Sequence, residues 1–313
     1  MKTALVTGAS GYLGSQLCKT LKREGYRIVG LDNRHTTNQY IDIFYPCDVL
    51  DSENLNVLFG KIKIDIVFHL AGKIEVGESV QQPTMYMLNN TAGTIVLLDV
   101  MRKHGVEYIV YSSTAGLYKS GMEKLTEEHT LCPSNNPYAA SKYSAELAIQ
   151  SSGIKHVIFR YFNLAGADTD GEFGEDHVPE THLIPRILQN LNNFTVYGDD
   201  FQTPDGTCVR DYVHVEDVSD AHILAANHLF HGKQNLTVNL GTGQGYSVKE
   251  IIKGIKDTLK IKVNYQVIGR RVGDPDSLVA DITKSKTILN FSPKHNLKSI
   301  LKTAYDWQTK DKS

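Results

Sequence analysis

The sequence predicts an α/β protein: a doubly wound parallel sheet of the Rossmann type with a smaller C-terminal lobe. Two observations carry the sheet. Short apolar runs alternate with helix-period segments through the first half of the chain, and a glycine-rich turn follows the first run and opens a helix. A third observation marks the lobe. After Asn163 the chain becomes polar and irregular, and no further strand–helix unit follows at once.

The strand-like runs are TALVTG (3–8), YRIVGLD (26–32), IFYPCDV (43–49), DIVFHLAG (65–72), EYIVYSS (107–113) and HVIFRYFN (156–163). Helix-like segments fall between them near 12–24, 51–59, 84–104 and 138–151, the last three with polar and apolar residues at three-to-four spacing. Strands that alternate with helices make βαβ units, whose right-handed crossovers cover both faces of a parallel sheet. The segment LAGADTDGEFGEDHVPETH, rich in Gly and Asp, reads as a functional loop. DVSDAHILAANHLF (217–230) is helical and LTVNLG (236–241) strand-like, a return to the sheet. The expected division is therefore a sheet domain at 1–165, rejoined by about 213–240, with a smaller lobe from 166–212 and 241–313.

Composition excludes several classes. A net charge of −2 and a pI of about 6.6 provide no global basic field for nucleic acid or an anionic membrane. Cys18, Cys47, Cys132 and Cys208 lack metal-like spacing and read as reduced packing residues of a cytoplasmic protein. The chain enters KTALVTG at once and has no apolar run near the length that spans a bilayer, so neither secretion nor a membrane is expected. The 12 histidines form no H-E-x-x-H or comparable set, and no metal is expected.

TGASGYLGSQL places Gly8, Gly11 and Gly14 in a G-x-x-G-x-x-G pattern between a strand and a helix. Glycines there permit a tight turn, close backbone approach to a pyrophosphate and close helix–sheet packing, and the helix N-terminus favours negative charge. Asp32 ends the second strand at the spacing expected of an acid that hydrogen-bonds an adenosine ribose. A carboxylate there repels a 2′-phosphate, so NAD is expected over NADP, although Arg34 lies close enough in sequence to accommodate a phosphate. Asp48 closes the third strand, where it either meets the adenine or serves as an acid at a helix N-terminus.

NPYAASKYSAE (136–146) opens a helix with Pro137 and sets Tyr138 and Lys142 one turn apart on one face. That spacing suits an ordinary amphipathic helix. It also suits a phenol lowered towards neutral pH by a fixed ammonium, which can then act as a base.

With the spaced glycines and the SST cluster (112–114) that ends a strand, this Tyr-x-x-x-Lys pair resembles the extended short-chain dehydrogenase/reductase family. RYFNLAGA (160–167), GTCVRDYVHVEDVSDAH (206–222), VNLGTGQGYSVKE (238–250) and GRRVGDP (269–275) resemble the UDP-glucose 4-epimerases of that family, across almost the entire chain. The resemblance implies an NAD-dependent enzyme that interconverts UDP-galactose and UDP-glucose through a 4-keto sugar, with an NAD-binding Rossmann domain and a nucleotide-sugar-binding lobe. It implies Tyr138 as general base, Lys142 as the residue that binds the nicotinamide ribose and lowers the tyrosine pKa, and Thr114 as the hydroxyl that relays the sugar O4 proton. Family cofactor positions fall on Gly8, Gly11, Tyr12, Leu13 and Gly14, on Asp32, Asp48 and Val49, and on Leu70, Ala71 and Gly72. Asn89, Ser112, Tyr138, Lys142 and Tyr161 complete them. The UDP-hexose falls to Asn163, Leu183, Tyr197, Arg210, Arg271 and Asp274, beside Thr114 and Tyr138, because planar guanidinium groups suit diphosphate oxygens. The alternative for the arginines is surface pairing with Asp211 or Asp274.

Some positions depart from the pattern. Ile74 stands where the family often has a lysine near the substrate phosphates, with Lys73 one residue earlier, and His182 stands where an asparagine often contacts substrate. Leu278 occupies the position where a tyrosine restricts the pocket to plain hexoses and a small residue admits N-acetylhexosamines; leucine is intermediate, so a UDP-N-acetylglucosamine 4-epimerase stays open. A nucleotide-sugar 4,6-dehydratase is the further alternative, but it requires an Asp–Glu pair after the threonine, where this chain has Ala115 and Gly116. A non-catalytic dinucleotide sensor is a third, opposed by Thr114, Tyr138 and Lys142 occurring together. The resemblance also implies a homodimer through helices at about 89–104 and 138–152.

Overall fold

A computed structural model describes residues 1–119, 121, 123–271 and 274–310. Along the first half run β1 (Thr3–Thr7), α1 (Tyr12–Arg23), β2 (Arg27–Asp32), β3 (Ile43–Pro46), α2 (Ser52–Lys61), β4 (Ile66–His69), α3 (Val76–Gln81), α4 (Pro83–Tyr86), α5 (Gly93–Lys103), β5 (Tyr108–Thr114), α6 (Pro137–Ser151) and β6 (Lys155–Tyr161). The second half contributes β7 (Asn163–Ala165), α7 (Leu183–Gln189), β8 (Phe194–Tyr197), β9 (Val209–His214), α8 (Val215–Phe230), β10 (Leu236–Leu240), β11 (Gly245–Ser247), α9 (Val248–Leu259), β12 (Tyr265–Ile268), β13 (Ser277–Leu278), α10 (Thr283–Leu289) and α11 (Leu297–Thr309).

The fold is a seven-stranded parallel sheet in the order β10-β6-β5-β4-β1-β2-β3, with flanking helices. β1 and β4 are buried along their whole length, as strands covered on both faces must be. Strand order reverses between β1 and β4, and the crevice beyond the carboxyl ends at such a switch point is where doubly wound sheets bind ligands.

The chain divides into two compact units. The first comprises 1–117, 131–160 and 219–238, the second 118–130, 161–218 and 239 onward. In the first, Leu5, Val29, Leu31 and Val67 of the sheet pack with Leu97 and Met101 of α5 and Ile149 of α6. In the second, β11, β9 and β13 form a sheet to which β7 adds beside β9, and β12 pairs with β8. Ile187, Ile251, Ile255, Ile300 and Leu301 form its core. Helix α9 starts with a full capping box, Ser247 and Glu250.

The third predicted strand ends early. β3 stops at Pro46, so Cys47, Asp48 and Val49 lie beyond it. The helix expected near 84–104 is present from Pro83 to Lys103, but it is made of a short α4, a π-helical turn at Met87–Ala92 and α5 in direct succession. Asn90 explains the wide turn locally: its side chain accepts from Lys73 N (2.8 Å) and donates to Lys73 O (3.0 Å) and to Ser141 Oγ (2.9 Å). Single π turns of this kind recur at functional sites.

His69, at the end of β4, is buried between the hydroxyls of Thr7 (2.7 Å) and Thr94 (2.9 Å). Burial, reinforced by the Lys142 charge, lowers its pKa to about 3. An unfolded chain binds that proton near pH 6.5 and the folded chain does not. The resulting stability is complete above pH 6.5 and is lost as the pH falls towards 3. The slope is about 1.4 kcal/mol per pH unit for one such group. Urea titrations of the wild type and His69→Asn between pH 7 and 5 should therefore diverge, the wild type losing more stability on acidification. Parallel curves would contradict the assignment.

Candidate active site

The expected cofactor residues of the first unit cluster at the carboxyl ends of β1 to β5. Gly8 follows β1 at φ +73°, and a Cβ on it would lie 2.8 Å from Ala71 N, beyond β4. At Gly14 a Cβ would lie 2.0 Å from Gly8 O. Those two glycines are required by the turn and by helix packing. Gly11 is different: it is the N-cap of α1, and its nearest obstacle would be Gly8 O at 3.2 Å. A side chain there would chiefly fill space in front of the helix N-terminus, where an anion is favoured. Tyr12 and Leu13 form the first turn of the helix.

Asp32 is buried at the end of β2, and its carboxylate accepts from Ser10 N (3.0 Å) and Arg34 N (2.9 Å). The acid is thus fixed beside the glycine turn. Arg34, mostly exposed, has Nε 3.6 Å from the Asp32 carboxylate. Asp48 accepts from Leu50 N (2.9 Å) and from Asn33 Nδ2 (3.3 Å), while the cap of α2 is Asp51, so Asp48 is not the helix-capping acid. Val49 is a core residue, and a Cβ on Gly93 would lie 2.7 Å from its methyl group. Only the Val49 backbone remains to meet a ligand. Leu70, Ala71 and Gly72 leave β4 directly, and Asn89 is half-buried in the π turn. Its neighbour Asn90, which sequence reasoning missed, ties that loop to α6.

Asn136 caps α6 by accepting from Ala139 N (2.8 Å), which sets the first turn that bears Tyr138. The Tyr138 phenol hydrogen-bonds the Thr114 hydroxyl and stands edge-on to Tyr86, ring centroids 6.4 Å apart. Thr114 Oγ1 also accepts from Gly116 N (3.0 Å), which fixes the hydroxyl at the end of β5 and leaves its proton and one lone pair available. Lys142 is buried, and Nζ donates to Ser112 O (2.8 Å). Burial lowers its pKa to about 8, with the Glu146 charge opposing the shift.

One expectation is corrected here. In the protein without ligand Tyr138 is pushed up to about 12, first by burial, then with the Thr114 hydrogen bond lowering it and the Glu75 charge raising it. Lys142 is not among these influences: with its own pKa lowered to about 8, it is neutral at the pH where a phenol near 12 ionises. Beneath it lies a buried network that sequence reasoning also missed. Glu146 receives Arg160 Nη2 (2.8 Å) and Nε (3.1 Å), together with the Ser113 hydroxyl.

The second unit holds the other expected residues. Tyr161 ends β6, and Asn163 starts β7 opposite Tyr212. Tyr197 ends β8, with the Arg271 guanidinium 3.9 Å from its ring centroid and that of Arg186 at 5.7 Å. Hydrogen bonds from Arg186 and then Arg271 hold the phenol below its ordinary pKa. Arg186 lies one turn after Leu183 in α7, a position that spacing could have suggested. Arg210 is clamped by Val209 O (2.8 Å) and Pro275 O (2.9 Å), with Asp274 4.0 Å away, and it pairs in register with Leu278. Asp211 is no partner for it. The Asp211 carboxylate accepts from Thr242 N (2.8 Å), Gly243 N (2.8 Å) and Ala280 N (3.2 Å), which locks the GTG turn to β9.

His182 is the N-cap of α7, and its Nδ1 contacts Glu175. Lys73 extends towards Glu78 (3.7 Å) and Ile74 is exposed, so neither reproduces a phosphate-binding lysine. Contrary to the expectation of no metal-like set, His177 and His182 gather with Glu175 and Glu180, their ligand atoms all within 4.8 Å of one another. The alternation E-x-H-x-x-E-x-H over eight residues was the available signal.

The profile of the NAD dependent epimerase/dehydratase family matches residues 4–241. The chain belongs to this family. A member from Lactobacillus helveticus, a UDP-glucose 4-epimerase, is 44% identical over 319 residues, which take in 97% of this chain and 96% of that protein. The crystal structure of a Brucella ovis UDP-glucose 4-epimerase in complex with NAD superposes with a TM-score of 0.93 at 39% identity, over 97% of this chain and 98% of that one. A Bifidobacterium longum UDP-glucose 4-epimerase in complex with NAD+ and UDP gives 0.91 at 34% identity, over 98% of both chains. Within the family, Thr114 is followed by Ala115 and Gly116 in a tight 3₁₀ turn, with no acidic pair for a dehydratase.

Proposed function

We propose that this family member interconverts UDP-galactose and UDP-glucose by NAD-dependent inversion at sugar C4 through a 4-keto sugar. The observation that carries the reading is the hydrogen-bonded Thr114–Tyr138 pair, with Lys142 one helical turn on, at the carboxyl ends of a doubly wound sheet. The glycine turn at 8–14 fits a pyrophosphate, and the fixed Asp32 carboxylate fits a ribose without a 2′-phosphate, so the dinucleotide is NAD. When bound, NAD would supply the reversible two-electron acceptor for the C4 hydrogen and a positive charge that favours a phenolate.

The protein's own residues do the rest. Tyr138 as phenolate accepts the 4-hydroxyl proton, directly or through the Thr114 hydroxyl, and returns it to the C4 oxygen once the 4-keto sugar has turned its opposite face for reduction. Lys142, directed by Ser112 O, fixes the ribose end of the cofactor. Tyr197, Arg210 and Arg271, with Arg186 added, hold the uridine diphosphate, assisted by Asn163, Leu183 and Asp274. That remote grip keeps the sugar in the site while its reacting end turns over. Leu278, in register with Arg210, stands on this reading at the position that would border the sugar.

The protein acts as a homodimer in the cytoplasm on this reading. Support comes from Leu88 in the π turn, Ile95 of α5 and Leu147 of α6, which are large, apolar and exposed on the helical segments expected at the interface. Among the described residues no helix is long and apolar enough to cross a membrane. Proton NMR of UDP-galactose, and separately UDP-N-acetylgalactosamine, incubated with protein and NAD tests the reaction. Conversion of UDP-galactose alone is expected, and conversion of neither would overturn the proposal.

A further inference from the structure

In the second unit, we infer that Glu175, His177, Glu180 and His182 form a binding site for one divalent first-row transition ion, with zinc the best match. The four ligand atoms lie within 4.8 Å of one another, compatible with bonds of about 2.0–2.2 Å to a single central ion. Two imidazoles and two carboxylates make a mixed nitrogen and oxygen set, which suits zinc better than calcium or magnesium.

Proximity is not the only observation. The Glu180 side chain is only 5% exposed, yet its Oε2 is buried without a hydrogen-bond partner and faces His177 Nδ1 at 3.9 Å. His177 Nδ1 is likewise buried without a partner, 3.3 Å from a Glu175 carboxylate oxygen. Buried polar atoms left in this way are costly, and here they converge on one point from different residues. The two carboxylates carry two negative charges, which one divalent cation neutralises when the imidazoles bind it in the neutral form that metal ligation requires.

The surroundings are built to hold the ligands. Trp307 of α11 packs on Gly174, where a Cβ would lie 2.3 Å from the indole, and Nε1 donates to Glu175 O (3.0 Å). Glu180 Oε1 accepts from Thr181 N and His182 N, both at 2.8 Å, which orients the opposite oxygen inward. A second imidazole–carboxylate cluster, His214, Glu216 and His295, lacks this character. Both His214 ring nitrogens are already engaged, by Glu216 N (3.2 Å) and Thr303 Oγ1 (3.0 Å).

The ion cross-links residues 175–182 and so fixes His182 and Leu183 at the start of α7. Its presence does not depend on the sugar chemistry proposed above. The test is metal analysis of the full chain, stripped with a chelator and dialysed against zinc chloride. About one zinc per chain is expected, with a raised thermal midpoint. His177→Gln and Glu180→Gln should each lose at least tenfold in zinc affinity while keeping the wild-type circular dichroism. Cobalt(II) in place of zinc should quench Trp307, the only tryptophan in the chain. A wild-type chain that retains no stoichiometric zinc, or variants that bind it as tightly as wild type, would overturn the site. Should either variant fail to fold, a zinc-edge anomalous peak among these four residues in wild-type crystals decides the matter, and its absence counts against the site.

Discussion

Tyr138→Phe lowers kcat by about 10²–10⁴-fold, the usual loss on removing a general base, while UDP binding is unchanged. The phenyl ring keeps the edge-on packing against Tyr86, so the fold around α6 is preserved. What is lost is the oxygen that hydrogen-bonds Thr114. Isothermal titration with UDP and a coupled rate assay separate the two effects, and wild-type turnover in the variant would refute Tyr138 as the base. The phenol also carries a spectroscopic prediction. In cofactor-free protein, where burial pushes Tyr138 up to about 12, the phenolate absorbance difference between wild type and Tyr138→Phe should develop only in strong alkali. With NAD bound, its midpoint should move to lower pH. An unchanged midpoint would leave the source of activation unexplained and count against the proposed role.

The legible part of this protein was what is written contiguously in the chain. The glycine turn, Asp32 and the Tyr138–Lys142 pair each sit within one strand–turn–helix unit, so spacing alone reports their geometry. The sheet could be read for the same reason, since each βαβ unit is local in sequence. The π turn was not legible, because it depends on Asn90 reaching the distant Lys73 backbone and Ser141. Nor was the partnership of Arg186 with Tyr197. It requires α7 to pack near β8, and Arg271 joins only because β12 pairs with β8, setting Ile268 opposite Tyr197. The division of duty between Lys142 and Glu146 was also hidden. Both face inward from α6, but only the fold brings Arg160 and Ser113 to Glu146 and the Ser112 carbonyl to Lys142.

Glu146→Ala destabilises the protein by about 3–5 kcal/mol, the usual result of removing one partner from a buried ion pair. Glu146 and Arg160 are both almost fully enclosed, and the guanidinium meets the carboxylate with two nitrogens, so the alanine variant leaves a buried cation without its anion. Urea denaturation followed by circular dichroism measures this, and a loss below about 1 kcal/mol, the range of exposed pairs, would contradict it. A second consequence reaches the chemistry. Glu146 opposes the burial that lowers Lys142 to about 8, so the isosteric Glu146→Gln should let that pKa fall further. Lys142 is then protonated over a narrower range, and the alkaline limb of the kcat profile moves to lower pH while the acidic limb stays. A merely structural role for Glu146 would reduce the amount of active protein at every pH and leave the profile's shape unchanged. The displacement of one limb therefore separates a residue that tunes Lys142 from one that only holds α6 in place.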